Sequence, residues 1–262
     1  MSDDLANAPP HDGAPTATML AIGDELLSGR TRDRNIGHLA SVMTGLGIEL
    51  VEVRIVPDEV ERIVEALNAL RARATYCFTS GGIGPTHDDR TADAVAAAFD
   101  VPCEHDEAAL ELLGAHYARM GREFTDARKR MARMPRGAAH IPNPVSVAPG
   151  FRIGNVHVMA GVPQVFEAML DAVVPSLTPG QALESRTVEV PGSIGEGDLG
   201  GPLAEIDAAH PDVLIGSYPR FENGTHTVRV VLRSREADAL DRAEAAVVAM
   251  LAALAGRQPP LD

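Results

Sequence analysis

Thr75–Asp93, TYCFTSGGIGPTHDDRTAD, is the stretch on which the fold turns. An apolar run, Tyr76-Cys77-Phe78-Thr79, stops at Gly81-Gly82-Ile83-Gly84-Pro85. A polar cluster follows, Thr86-His87-Asp88-Asp89-Arg90-Thr91, and an alanine-rich helical pattern opens behind it. The order is strand, glycine loop, polar cluster, helix. Glycines let backbone N–H groups approach an anion closely, and a helix start adds its positive dipole end. Two adjacent carboxylates fit beside a phosphate only if a divalent cation lies between them. The stretch therefore predicts a phosphorylated ligand held together with a metal ion. The plainer alternative is a strand-to-helix turn in which Asp88 or Asp89 caps the helix. The packing of His87 and both aspartates into one loop favours the ligand site.

Upstream, Thr18–Ile22 reads as a buried strand with Gly23-Asp24-Glu25-Leu26-Leu27 at its carboxyl end. Residues 35–46 carry Ile36, Leu39, Ala40, Met43 and Leu46 at helical spacing, and 48–56 alternate as a second strand. After the turn at Pro57-Asp58, residues 60–71 form an amphipathic helix that leads into the strand at 75–79. Strand, helix, strand, helix, strand is the repeat of a doubly wound α/β sheet. Such sheets bind ligands at the carboxyl ends of strands near the switch in strand order. Asp24 and the 81–91 loop both lie at carboxyl ends, so their carboxylates are expected to converge.

Downstream, helices are expected to Phe99, over 107–120 and over 126–134. The last carries Arg128, Lys129, Arg130 and Arg133, read as a solvated helix face rather than a phosphate contact. Residues 138–150, AAHIPNPVSVAPG, form a proline-stiffened loop that can wall a site without much ordering entropy. Gly154-Asn155 marks a hairpin, and Ala160-Gly161-Val162-Pro163 leads from its second strand into a helix. Composition shifts at 174–180, taken as a domain boundary. Beyond it, strands at 185–190, 213–217 and 225–233 and helices at 199–208 and 238–254 make a small β-α-β-β-α module, its helices on one face and a hairpin turn at 222–224. The assignment is a tail over 1–16, a first domain over 17–180, an accessory domain over 181–256 and a second tail over 257–262.

With 37 acidic and 23 basic side chains, the formal charge is −14. That field argues against non-specific binding to nucleic acid or an anionic membrane. An anionic ligand must then be drawn by local donors or a bound cation. Two cysteines, one inside an apparent strand, point to a reducing cytoplasm. No apolar run approaches the roughly 20 residues that span a bilayer. The acidic, proline-rich start lacks the features of a signal peptide and reads as a disordered lead. No histidine pair has ligand spacing and no strand leads into a nucleophile elbow, so structural zinc and serine-hydrolase chemistry are not expected.

The motifs Gly23-Asp24-Glu25-Leu26-Leu27-Ser28-Gly29 with Asn35, Ser80 to Asp89, Asn143-Pro144 with Ala148-Pro149-Gly150, and Gly161-Val162-Pro163 occur in family order. They resemble the MoCF (MoaB/Mog-type) molybdopterin-binding domain over about residues 17–177. The subgroup they are most similar to is the N-terminal region of competence/damage-inducible protein A (CinA), and they also resemble the related domain of eukaryotic FAD synthases. The resemblance implies a three-layer, doubly wound α/β fold with a small α+β domain after it. In cofactor-synthesis members the domain binds molybdopterin, and an aspartate at the position of Asp89 serves its adenylylation. In CinA-like members it is associated with metal-dependent cleavage of the ADP-ribose pyrophosphate, and FAD-synthase domains act similarly on FAD. The module at 183–255 resembles the accessory domain of CinA; the amidohydrolase domain of that family has no counterpart in this sequence, and its activity is not carried over. Ser146 departs from the glycine that many CinA-type sequences carry.

On this reading Asp24 and Asp89, with Asp88 assisting, hold Mg²⁺ or another divalent ion against a dinucleotide pyrophosphate. Amides of Gly81, Gly82 and Gly84 and the helix start at Gly161-Val162-Pro163 hold phosphates. Thr86 and Asn143 orient oxygens, and His87 shuttles a proton. Gly23, Glu25, Asn35 and Pro144 complete the ligand-binding set by their place in the motifs. The competing expectation is a carrier that binds molybdopterin or a nucleotide without turnover. Relatives of this fold commonly self-associate, so a homo-oligomer is expected.

Overall fold

The structure is a computed structural model that describes residues 14–192, 194–222 and 225–256. Of the expected tails, residues 1–13 and 257–262 lie outside the described residues, and Thr16 already belongs to a strand. The hairpin turn expected at 222–224 also falls largely outside them. The chain divides into two compact units between Gly180 and Gln181.

The first unit runs β1 (Thr16–Ile22), a single-turn α1 (Asp24–Leu27), α2 (Asn35–Gly45), β2 (Glu49–Val56), α3 (Val60–Arg71) and β3 (Tyr76–Ser80). It continues with α4 (Thr91–Ala98), β4 (Cys103–His105), α5 (Glu107–Arg119), α6 (Asp126–Lys129) and β5 (Arg133–Pro135). Then come β6 (Ala139–Ile141), β7 (Gly150–Ile153), β8 (Val156–Met159) and α7 (Pro163–Val173). The main sheet has six strands in the order β2-β1-β3-β8-β7-β6; the first four are parallel, and β7 runs antiparallel to its neighbours β8 and β6.

The period of two in β1 explains the layers. Met19 turns to one face, where it clusters with Phe78, with Leu39 and Met43 of α2 and with Phe166, Met169 and Leu170 of α7. Leu20 and Ile22 turn to the other, to cluster with Cys77, with Ile63, Leu67 and Leu70 of α3, Val95 of α4 and Leu113 of α5. All of these are almost fully buried, which is why this strand reads as a continuous apolar run. The result is a doubly wound, three-layer α/β unit. With β2 on one side of β1 and β3 on the other, the switch in strand order falls between β1 and β3.

One expected helix is corrected. The pattern over 126–134 folds as one helical turn to Lys129, a 3₁₀ turn at Arg130–Ala132 and then β5, antiparallel to β4. Nor is its basic run a solvated face. Arg133 makes a bidentate pair with Asp93 in the first turn of α4 (3.0 and 2.6 Å), and Arg130 Nη2 donates to the Asp89 carbonyl (3.2 Å). Arg128 lies over the Tyr117 ring. Long-range partners therefore override the helical spacing.

The second unit comprises β9 (Glu184–Val190), α8 (Glu196–Ala209), β10 (Leu214–Glu222), β11 (Thr225–Ser234) and α9 (Ala237–Ala255). Its sheet is antiparallel in the order β10-β11-β9. Leu199 and Leu203 of α8 and Leu240, Val247 and Leu251 of α9 share one core with Val190, Val228, Val230 and Leu232. Each unit thus has its own core.

Candidate functional site

The glycine loop is shaped by two close approaches. Gly81, at φ +106°, runs against the carbonyl of Ile22 at the end of β1; a Cβ there would stand 2.3 Å from that oxygen. Gly82, at φ +68°, lies where a Cβ would stand 2.2 Å from Thr91 Oγ1, and that hydroxyl donates to the Gly81 carbonyl at 2.9 Å. Only glycine fits either place. The Gly81 N–H donates to the Met159 carbonyl at 3.1 Å, so the loop is stitched to the end of β8 as well.

Asp89 closes the loop from inside. Its Oδ1 accepts the Gly84 N–H at 2.6 Å, and its Oδ2 accepts the Thr86 N–H at 2.7 Å and the Thr86 hydroxyl at 2.6 Å. Three of the roughly four acceptor directions of a carboxylate are filled, leaving one on Oδ1. The sequence reading is corrected here in three respects. The amides of Gly81 and Gly84 are already engaged within the protein, the Thr86 proton is directed to Asp89, and Asp89 is first a cap of its own loop. Among the described residues the Gly82 and Ile83 amides have no protein acceptor.

These loops surround a cavity of about 520 Å³ at the carboxyl ends of β1, β3 and β8. Gly23 and Glu25 line it from the first turn after β1; Gly81, Gly82, Gly84, Thr86, Asp88 and Asp89 from the glycine loop. Asn143 lines it from the proline-rich wall, and Gly161, Val162 and Pro163 from the start of α7. The sequence reading therefore brought together groups from four separate segments.

Four expected residues lie outside this lining. Asp24 is exposed, and His87 has a side chain 94% exposed, 3.9 Å from Asp88. Pro144 is exposed and does not line the cavity. Asn35 is buried instead of ligand-facing: its Nδ2 donates to Ser80 Oγ (2.7 Å) and to the Gly161 carbonyl (2.8 Å). It ties the end of β3 to the start of α7 and positions the cavity from behind. The pair expected to share a metal, Asp24 and Asp89, is thus not the pair the fold presents: Asp24 faces solvent because α1 turns it off the strand axis.

Asp58, not singled out in the sequence reading, lies at the cavity instead. It stands in the turn after β2, lines the cavity, and accepts the Asp24 N–H at 3.0 Å. Partial burial pushes its carboxyl above the ordinary value, and the charges of Glu25, Asp24 and Asp88 push the same way against that one hydrogen bond. The Pro57-Asp58 turn carried the same signal as Asp24, an acid at a strand's carboxyl end, but only the sheet order shows that β2 lies beside β1, so that its carboxyl end reaches the cavity. The apolar floor, Ile22, Ile83, Met131, Val165 and Met169, had no signal in the sequence.

The wall is built by Asn143, itself buried. Its Nδ2 donates to Ser146 Oγ (2.7 Å) and the Ala148 carbonyl (2.8 Å), while its Oδ1 accepts the amides of Val145 (3.1 Å) and Ser146 (3.0 Å). This holds Val147 at φ +70°, a conformation β-branched residues avoid.

Four carboxylates, Glu25, Asp58, Asp88 and Asp89, line the cavity, and among the described residues no lysine, arginine or histidine does. Such a lining fits a hydrated divalent cation better than a bare anion. Among the described residues no three His, Cys, Asp or Glu side chains form a chelating group. The donor set therefore suits an ion that keeps waters and takes one or two carboxylates, not an all-protein cage.

Comparison with known proteins adds the following. A family model described as a probable molybdopterin binding domain matches residues 18–179, and one described as the middle domain of FAD synthase matches 184–256. A protein of Caldivirga maquilingensis is 38% identical over 210 residues, covering 78% of this chain and 81% of its own. A CinA-like protein of Syntrophus aciditrophicus is 33% identical over 246 residues, covering 89% of this chain, which spans 58% of that protein. The crystal structure of the protein CinA from Thermoplasma acidophilum, described as of unknown function, aligns with a TM-score of 0.58 and 30% identity over 62% of this chain and 98% of its own. Among the described residues no helix is long and apolar enough to cross a membrane. The first of these family matches takes in nearly the whole six-stranded sheet together with its cavity, and the chain belongs to that family of probable molybdopterin binding domains.

Proposed function

We propose that the cavity at the switch point binds a dinucleotide such as ADP-ribose or FAD by its diphosphate, and that the chain hydrolyses that linkage. The observation that carries this is the charge of the lining: among the described residues, four carboxylates with no basic side chain, beside a glycine loop with two unengaged amides. A diphosphate is compatible with such a lining only when a cation stands between. Asp58 and Asp88 would hold a hydrated Mg²⁺ or a similar ion, which would supply charge neutralisation on the diphosphate. The Gly82 and Ile83 amides donate to phosphate oxygens, and the start of α7 adds its dipole. Asn143 keeps the opposite wall in place, and the apolar floor accepts a planar ring. Water adds to one phosphorus, the bridging P–O bond breaks, and AMP leaves with the second monophosphate.

The test is incubation of the purified chain with ADP-ribose or FAD, with and without Mg²⁺ or Co²⁺, following AMP. Metal-dependent release that falls at least about 100-fold in Asp58→Asn supports the reading. No release, combined with tight binding of a pterin or nucleotide, replaces it with the carrier.

A further inference from the structure

Of the four carboxylates that line the cavity, Glu25 is the one left without a partner. Asp58 accepts the Asp24 N–H, and Asp89 accepts three hydrogen bonds from its own loop. Asp58 and Asp88 are given to the cation. The Ser28 hydroxyl and the Thr31 amide reach only the main-chain carbonyl of Glu25, at 3.3 and 3.1 Å. Among the described residues no donor and no cationic side chain meets its carboxylate. The side chain is nonetheless half-buried and held in place. It folds back against Gly23, where a Cβ would stand 2.6 Å from each carboxylate oxygen. A glycine at that position therefore gives Glu25 its room along the cavity wall.

An ionised carboxylate accepts hydrogen bonds and donates none, so whatever meets Glu25 must donate. The cation is not its partner, because among the described residues no three acids form a chelating group. A phosphate is not either, since the two repel as like charges. In a dinucleotide that leaves the sugar hydroxyls and the amino groups of the bases. Position decides between them. The charge of Glu25 bears on Asp58, so Glu25 stands beside the cation site, where the diphosphate lies. Sugars are joined directly to a diphosphate, whereas each base lies a sugar further away, toward the apolar floor.

We propose that Glu25 accepts the vicinal hydroxyls of the adenosine ribose, the sugar that ADP-ribose and FAD share, and so makes the cavity select ribonucleotides over 2′-deoxyribonucleotides. Two carboxylate oxygens meet two adjacent hydroxyls, a charge-assisted pairing by which other dinucleotide sites read the same sugar. Thr31, tied through its amide to the Glu25 carbonyl, lines the same cavity and adds a hydroxyl of its own. The assignment rests on the cavity being a dinucleotide site and does not depend on hydrolysis.

Isothermal titration of the full chain in Mg²⁺ tests it with two probes that resist hydrolysis. One is methylene-bridged ADP-ribose, and the other is the same compound with a 2′-deoxyadenosine half. The wild type should bind the ribose form at least about tenfold more tightly, because the deoxy form loses a hydrogen bond to a charged group. In Glu25→Ala the two probes should bind within about twofold of each other. Glu25→Gln keeps an acceptor oxygen without the charge, and its ratio should fall between these. Asp58→Asn, which acts on the cation, should weaken both probes alike and keep their ratio. Equal binding of the two probes by the wild type overturns the sugar assignment and leaves the cavity reading standing. So does a loss of affinity in Glu25→Ala that is the same for both, or a ratio that moves in Asp58→Asn alone. Binding of neither probe overturns both readings.

Discussion

Gly82 and Asn143 show how single residues hold the cavity open. At Gly82 the backbone is left-handed and the space a Cβ needs is taken by the Thr91 hydroxyl. Gly82→Ala should cost about 3 kcal/mol, combining left-handed strain with the displaced Thr91 hydrogen bond, read from the urea midpoint. Gly29, at φ +72° with nothing within 4 Å of its would-be Cβ, is the control: Gly29→Ala should show the backbone part alone, about 1 kcal/mol. Asn143 makes four hydrogen bonds within the wall turn and is buried. Asn143→Ala should therefore release Val147 from its strained conformation. Amide exchange at Val145 and Ser146 should speed by more than about tenfold, while the β3 amides keep their protection.

At the scale of elements, β8 carries a titratable group that the site does not use. His157 is buried, stacked on Phe78 at 5.1 Å and edge-on to Tyr76 at 6.1 Å, and among the described residues neither ring nitrogen has a hydrogen-bond partner. Burial, with the Arg152 charge adding, lowers its pKa from 6.5 to about 4. Between those values the unfolded chain binds the proton and the native chain does not. Stability is therefore lost as pH falls through that window, by about 3 kcal/mol for this one group. In His157→Phe, which keeps the stack, urea midpoints at neutral pH and in the lower part of the window should differ correspondingly less than in the wild type. The segment from Asp126 to Pro135 teaches a related lesson. Its basic side chains look solvated in one dimension, yet Arg130 and Arg133 brace the glycine loop from behind through Asp89 and Asp93.

For the whole molecule, two units with separate cores imply separable folding. Residues 14–180 made alone should unfold cooperatively, and should give the same Mg²⁺- and ADP-ribose-dependent rise in Tm as the full chain, because every residue lining the cavity lies before the division. Loss of that response in the truncated chain would mean that the smaller unit takes part in binding.

The sequence by itself determined the alternation of strands and helices, because periods of two and of 3.6 are written locally; helix α3 falls on the residues its apolar spacing predicts. It also determined that glycines and acids crowd the carboxyl end of β3, since those residue types stand next to one another in the chain. Only the tertiary structure decided which acids meet. Asp24 and Asp58 are alike as letters at strand ends, but the backbone turn of α1 sends one to solvent, and the placement of β2 beside β1 brings the other to the cavity. Strand order joins segments far apart in the chain, as when β8 comes to lie beside β3, and no local period encodes that choice.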